Sequence, residues 1–225
     1  AGMVVSAVSP VQASPVIYGP YKINFEYATS YYLYNEKIYN SDIGAKEDFM
    51  RLTSSPFVYG ATCDIRRYIK NNWYAESIVN VVLGRVDYSS AYSGESEGEQ
   101  NVIFMLDNSI NNCISQTVCT SIGYTFRYLD NDSSSTVTST GNSGYQRENF
   151  LHLVPIGIKY SRNLYHHRYS SVQVRSKFYH LLDGRQVSHL SRYGCSDLKN
   201  KQNEGYGYEG SVRVYAADKK WFYGA

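Results

Sequence analysis

Apolar and polar residues alternate with a period of two along most of the chain. Over residues 21 to 34, Tyr21, Ile23, Phe25, Tyr27, Tyr31 and Leu33 fall on one face. Lys22, Asn24, Glu26, Ala28 and Ser30 fall on the other. A helix, turning about 100° per residue, would scatter this apolar set around its axis, so the pattern predicts a strand. The same reading predicts strands over 50 to 66, 73 to 88, 114 to 129, 149 to 160, 169 to 181 and 206 to 217. The segment 101 to 107 is apolar on both faces, which leaves its register open. A ninth strand starts at Trp221 and stops with the chain at Ala225.

Most of these segments run ten residues or more, whereas ordinary globular strands average about five or six. About ten tilted residues is the length that crosses a bilayer. The connections alternate long (35 to 49, 89 to 100, 130 to 148, 182 to 205) and short (67 to 72, 108 to 113, 161 to 168, 217 to 220).

Composition adds a second signal. The 225 residues include 24 Tyr against 8 Phe and 2 Trp, with only 5 Pro. Tyr has an apolar ring and a polar tip, which suits half-buried strands and membrane interfaces. Net charge is +2 with acids and bases interspersed, so no basic stripe argues for nucleic acid. Mean hydropathy is -0.42. No run of about 20 apolar residues exists, so a membrane role would need a barrel. At the N-terminus, small and apolar residues run into Val11-Gln12-Ala13, which fits a signal-peptidase site. Residues 1 to 13 are expected to be the remnant of a signal peptide, with the mature domain at 14 to 225.

Strand length, alternating connections and Tyr content together resemble the outer-membrane β-barrels of Gram-negative bacteria, in their small eight-to-twelve-strand branch. The resemblance covers roughly residues 20 to 225 and rests on pattern. It implies an all-β, antiparallel up-and-down transmembrane barrel of about ten strands, with short periplasmic turns and long outer loops. Such chains usually close on an aromatic-terminated strand, so the ending Trp221-Phe222-Tyr223-Gly224-Ala225 suggests truncation within the barrel. The charges expected in the lumen are Glu26, Asp64, Arg66, Glu76, Arg127, Lys159, Arg175, Lys177, Glu209 and Arg213. The aromatics expected to face lipid are Tyr21, Phe25, Tyr27, Tyr59, Trp73, Tyr124, Phe126, Tyr128, Tyr160 and Tyr208. The implied partners are outer-membrane lipid, lipopolysaccharide and the barrel-assembly machinery. A soluble sandwich or lipocalin-like barrel would carry the same alternation with the two faces exchanged.

Candidate chemistry is sparse. Cys63, Cys113, Cys119 and Cys195 form no CxxC pair, so zinc is not expected. On one strand Cys113 and Cys119 would lie roughly 20 Å apart; they meet only if a turn falls between them. His166-His167 adjoins Arg168 without further ligands, and His180 has lipid-facing parity. His189 and Ser191 resemble the His-x-Ser pair of outer-membrane lipid A deacylases, where Ser is the nucleophile and His its base. Arg192-Tyr193-Gly194 depart from that family's Asn-Ala continuation. Residues 93 to 99 form an acidic segment read as a flexible loop, without calcium-loop spacing. No cofactor is expected. The leading expectation is a barrel that presents surface loops for adhesion or ligand contact. The alternatives are a narrow porin-like channel and a lipid A-modifying hydrolase.

Overall fold

The computed structural model describes residues 11–12, 16–18, 20–40, 45–164, 169–216 and 222–224. The strands are β1 (Val11–Gln12), β2 (Val16–Tyr18), β3 (Tyr21–Ser30), β4 (Leu33–Asn40), β5 (Ala45–Lys70), β6 (Trp73–Ser90) and β7 (Gly94–Cys113). They continue with β8 (Val118–Asp132), β9 (Gln146–Asn163), β10 (Tyr169–Ser188), β11 (Leu198–Gln202), β12 (Tyr206–Ala216) and β13 (Phe222–Gly224). Among the described residues, one 3-10 turn spans Ser191–Tyr193.

Among the described residues all pairings are antiparallel, and one ten-strand path runs β1-β3-β5-β6-β7-β8-β9-β10-β12-β13. This is the predicted all-β, up-and-down architecture. Strand β2 pairs the same β3 edge as β1, while β4 extends β3 along β5, and β11 extends β12 along β10. Among the described residues the ladder is open, with β1 and β2 at one edge and β13 at the other. The sheet is nevertheless strongly curled: Arg213 of β12 meets Glu26 of β3 at 3.1 Å.

The connections at one end are short. Asn71 and Asn72 turn β5 into β6, with Asn71 at φ 51, a left-handed conformation Asn tolerates. Residues 114–117 turn β7 into β8, and there Cys113 and Cys119 form a disulfide. The intervening turn that their pairing requires is therefore present. The segment expected as a turn over 108 to 113 is instead strand, because β7 continues to Cys113.

At the other end two of the expected long loops, 35 to 49 and 89 to 100, are largely strand, whereas 133–145 joins β8 to β9 as a long connection and 189–197 joins β10 to β11. β6 reaches Ser90 and β7 starts at Gly94, so three residues connect them. Within the acidic stretch 93 to 99, residues 94–99 belong to β7, with Gly94, Glu95, Ser96 and Glu99 paired to β6; a bulge between them places Gly98 at φ 69, with its N–H donating to Asp87 (3.0 Å). β4 and β5 likewise pair almost to their tip, and β11 folds back on β10. These extensions rise from a buried apolar cluster of Tyr32, Met50, Leu52, Val58, Val86 and Ile103 near the ends of the predicted strands, and their own inward positions are partly polar, with Ser96 and Glu99 buried. His166, His167, Arg168 and Trp221 lie outside the described residues, as does most of the expected leader. Within that leader, Val11 and Gln12 pair with Tyr27 and Glu26.

Candidate functional site

Alternation assigns one side chain in two to the concave face of the curled sheet. On β5 these are Asp64 and Arg66, on β6 Tyr74 and Glu76, on β10 Arg175, Lys177 and Tyr179. Curling brings strands together that are four steps apart in the ladder. Arg175 of β10 donates to both oxygens of Glu76 on β6 (3.1 Å each). Arg66 donates from Nε to the same carboxylate (2.7 Å) and from Nη2 to Asp64 (2.5 Å). Asn24 of β3 also reaches Asp64 (3.4 Å). Glu76, only 3% exposed, is thus held by two guanidinium groups.

A second chain of contacts lies beside it. Lys177 pairs with Asp107 of β7 (2.8 Å), which is 1% exposed. The Tyr179 hydroxyl donates to Glu209 of β12 (2.6 Å) and lies 3.5 Å from Asp107. Lys159 of β9 donates to the Tyr74 hydroxyl. Gly157 leaves room for this crowding: a Cβ there would stand 2.5 Å from Ser121 Oγ and 3.0 Å from Lys177 Cγ. Gly123 does the same for the backbone, since a Cβ would fall 2.0 Å from the Asn108 carbonyl oxygen.

Nine of the ten charges predicted to share the inner face join these contacts or the Arg213–Glu26 pair. Arg127 shares the face at a higher level, across from Met105 and Leu151 in the ladder. Sequence reasoning missed Asn24, Tyr74, Asp107 and Tyr179. The parity of β3, β6 and β10 already pointed three of them inward. Asp107 was hidden because its segment is apolar on both faces.

The convex face carries the predicted aromatics. Phe25, Tyr27, Tyr59, Trp73, Tyr124, Tyr160 and Tyr208 are exposed, Tyr208 by 74%. Tyr21, Phe126 and Tyr128 share that face but are half-buried by neighbours. Arg67 covers Tyr21, His152 packs on Phe126 at 5.4 Å, and Phe150 packs on Tyr128 at 5.0 Å. Along β9 the outward positions run from Tyr160 through Ile158, Ile156 and Val154 to His152 and Phe150.

At the long-hairpin end, His189 lies between two acids. Its Nε2 is 2.7 Å from Glu148 Oε2 and its Nδ1 is 3.5 Å from Asp197 Oδ2. Tyr128 also donates to Glu148 (2.6 Å). The Glu148 hydrogen bond and the charges of both acids hold the imidazole above its ordinary pKa. Hydrogen bonds from Tyr128 and His189 hold Glu148 low, and those from Ser191 hold Asp197 low. The Ser191 N–H donates to Asp197 (2.9 Å). Both imidazole nitrogens thus face carboxylates, and the His189 and Ser191 side chains are not brought together as base and nucleophile. The segment docks on the 133–145 connection through Arg192 to Ser134 (2.8 Å) and Tyr193 to the Gly144 carbonyl.

No group of three His, Cys, Asp or Glu among the described residues is arranged to hold a metal. No protein-family model matches the chain, and no curated protein sequence matches it.

Proposed function

We propose that the chain is a Gram-negative outer-membrane β-barrel protein that holds a layer of paired hairpins at the cell surface for adhesion or ligand contact. One observation carries this reading: the polarity of the strands reverses along their length. Near the short turns, charges are buried inside and large apolar side chains are exposed outside. A surface of that kind is costly in water and suited to lipid, where only closed hydrogen-bonded structures persist. Toward the hairpin end Leu52 and Val86 are buried inside, with Glu99 and Asn101 beside them, and Arg51, Arg85 and Glu95 stand outside. Barrel closure, export and outer-membrane location belong to this proposal. The cross-face ion pairs favour a filled interior over a narrow channel, and the engagement of His189 by two acids speaks against a lipid A hydrolase.

Heat-modifiable migration tests the reading. The chain, refolded into phosphatidylcholine vesicles, is expected to resist SDS until boiled and to run as a compact band. A single migration with and without boiling, together with full solubility without lipid or detergent, would favour the soluble alternative. Planar-bilayer recordings separate anchor from channel: steady single-channel currents would overturn the filled-interior reading.

A further inference from the structure

The end of β10 and strand β11 enclose a shallow surface groove lined by Asp183, Gly184, Arg185, Lys199, Asn200 and Lys201. Register places Lys201 opposite Arg185 and Lys199 opposite Val187, so the three cations share one face. Arg185 in turn pairs with Phe150, an outward position of β9, and its guanidinium lies 6.0 Å from that ring's centre. The cations therefore stand on the convex face. All three are exposed. Asp183 is the one acid of the groove; it lies 3.7 Å from Lys201, with both side chains more than half exposed, so the pair is weak. Three cations less one anion leave the groove at +2.

Directly below, the same face carries Phe178, Leu182 and Tyr206, all exposed, with His180 opposite Tyr206 among them. Tyr206 stacks on Phe178 at 6.3 Å. A basic groove bordering an exposed apolar strip matches an anionic amphiphile, phosphate above and acyl chain below. We propose that this groove binds the phosphate headgroup of an anionic membrane lipid, whose chain lies along Leu182, Phe178 and Tyr206. The proposal rests on the barrel reading. It adds a headgroup preference that a barrel need not have. Arg185 supplies two aligned donors for phosphate oxygens, and Lys199 and Lys201 supply point charges.

The test uses the full chain folded in zwitterionic detergent, with native mass spectrometry reading bound lipid. Phosphatidylglycerol is expected to be retained and phosphatidylcholine not. The triple variant Arg185→Ala, Lys199→Ala, Lys201→Ala is expected to retain phosphatidylglycerol about tenfold or more weakly. The charge-keeping variant Arg185→Lys, Lys199→Arg, Lys201→Arg is expected to restore most of it. Equal retention of both lipids by the wild type would overturn the proposal, as would unchanged retention by the triple variant. Displacement of the lipid by millimolar inorganic phosphate would overturn it too, by assigning the groove to free phosphate. If the triple variant does not fold, the wild type decides alone, because raised salt must release phosphatidylglycerol. Failure of the barrel reading looks different: no SDS-resistant form then appears in any lipid, whereas failure here leaves that form intact.

Discussion

The same long strands cross two regions whose inner faces differ, one ion-paired and the other largely apolar. Near the short turns the concave face holds Glu76, Arg175, Asp107 and Lys177, all buried and ion-paired. Toward the hairpin end it holds the apolar cluster of Tyr32, Met50, Leu52, Val58 and Val86, with Glu99 and Asn101 buried beside it. The switch falls near Val58 and Gly84, where a Cβ on the glycine would stand 2.6 Å from Val58 Cγ1. The difference teaches that a strand's inner face answers to what covers its outer face. Where the outside is Ile156, Ile158 and Tyr208, apolar burial inside gains nothing if lipid already surrounds the sheet. Polar groups must then find each other within. On the barrel reading, water surrounds the hairpins where the outside is Arg85 and Glu97, and the apolar side chains collapse inward.

The largest effect that tests this contrast comes from Glu76. Glu76→Ala would leave Arg66 and Arg175 buried without their shared carboxylate. The expected loss is about 3–5 kcal/mol of stability, read from denaturant unfolding of the vesicle-embedded protein. A loss under about 1 kcal/mol would mean that water reaches the pair and that the lower interior is open.

Charge on the outer face should cost differently in the two regions. Ile156→Lys places an ammonium in the middle of the exposed apolar strip, at an expected cost of about 2–4 kcal/mol in lipid. Thr53→Lys, outward in the hairpin region, should change stability by no more than about 0.5 kcal/mol. Equal costs at both positions would erase the distinction between the regions.

The upper core should open on its own. Leu52→Ala is expected to cost about 2 kcal/mol, at the lower end for a buried leucine because the hairpins can relax. Hydrogen exchange should accelerate over residues 49–56 and 84–101 while the SDS-resistant form persists. Loss of that form as well would show one cooperative unit.

Much of this was legible from period-two alternation, since parity alone places Glu76, Arg175 and Lys177 on one face and Tyr59, Tyr124 and Tyr208 on the other. Two things were not. Alternation says which residues share a strand face but not how sharply the sheet curls, so the pairing of Glu76 with Arg175 across 99 residues could not be read. Polar composition also concealed the hairpin layer. Over 89 to 100 both faces are polar, with Ser96 and Glu99 inward, so no alternation marked the strand that pairs with Tyr88 and Val86. The Cys113–Cys119 bridge was half visible: its condition, a turn between the two cysteines, was stated, but the turn was expected at 108 to 113 and residues 114–117 were read as strand.

The smallest effect concerns the hairpin end itself, where His189 joins β9 to the segment preceding β11. Its pKa is raised from the ordinary 6.5, so its contribution to stability is full below 6.5 and is lost as pH rises through the higher folded value. Glu148 is lowered from 4.5 and Asp197 from 3.8, so their contributions are present above those values and are lost as pH falls through the folded ones. The clamp is therefore closed between about pH 4.5 and 6.5 and loosens on the alkaline side. NMR titration of the imidazole Hε1 signals, with His189→Gln for assignment, should give His189 a midpoint above 6.5. Glu148→Gln should bring it down, because the nearer carboxylate is the main cause of the shift. Added salt should weaken the effect, as both partners are partly exposed. A midpoint at or below 6.5 would mean that the two acids do not hold His189, and the docked segment would then have to rest on Arg192 and Tyr193 alone.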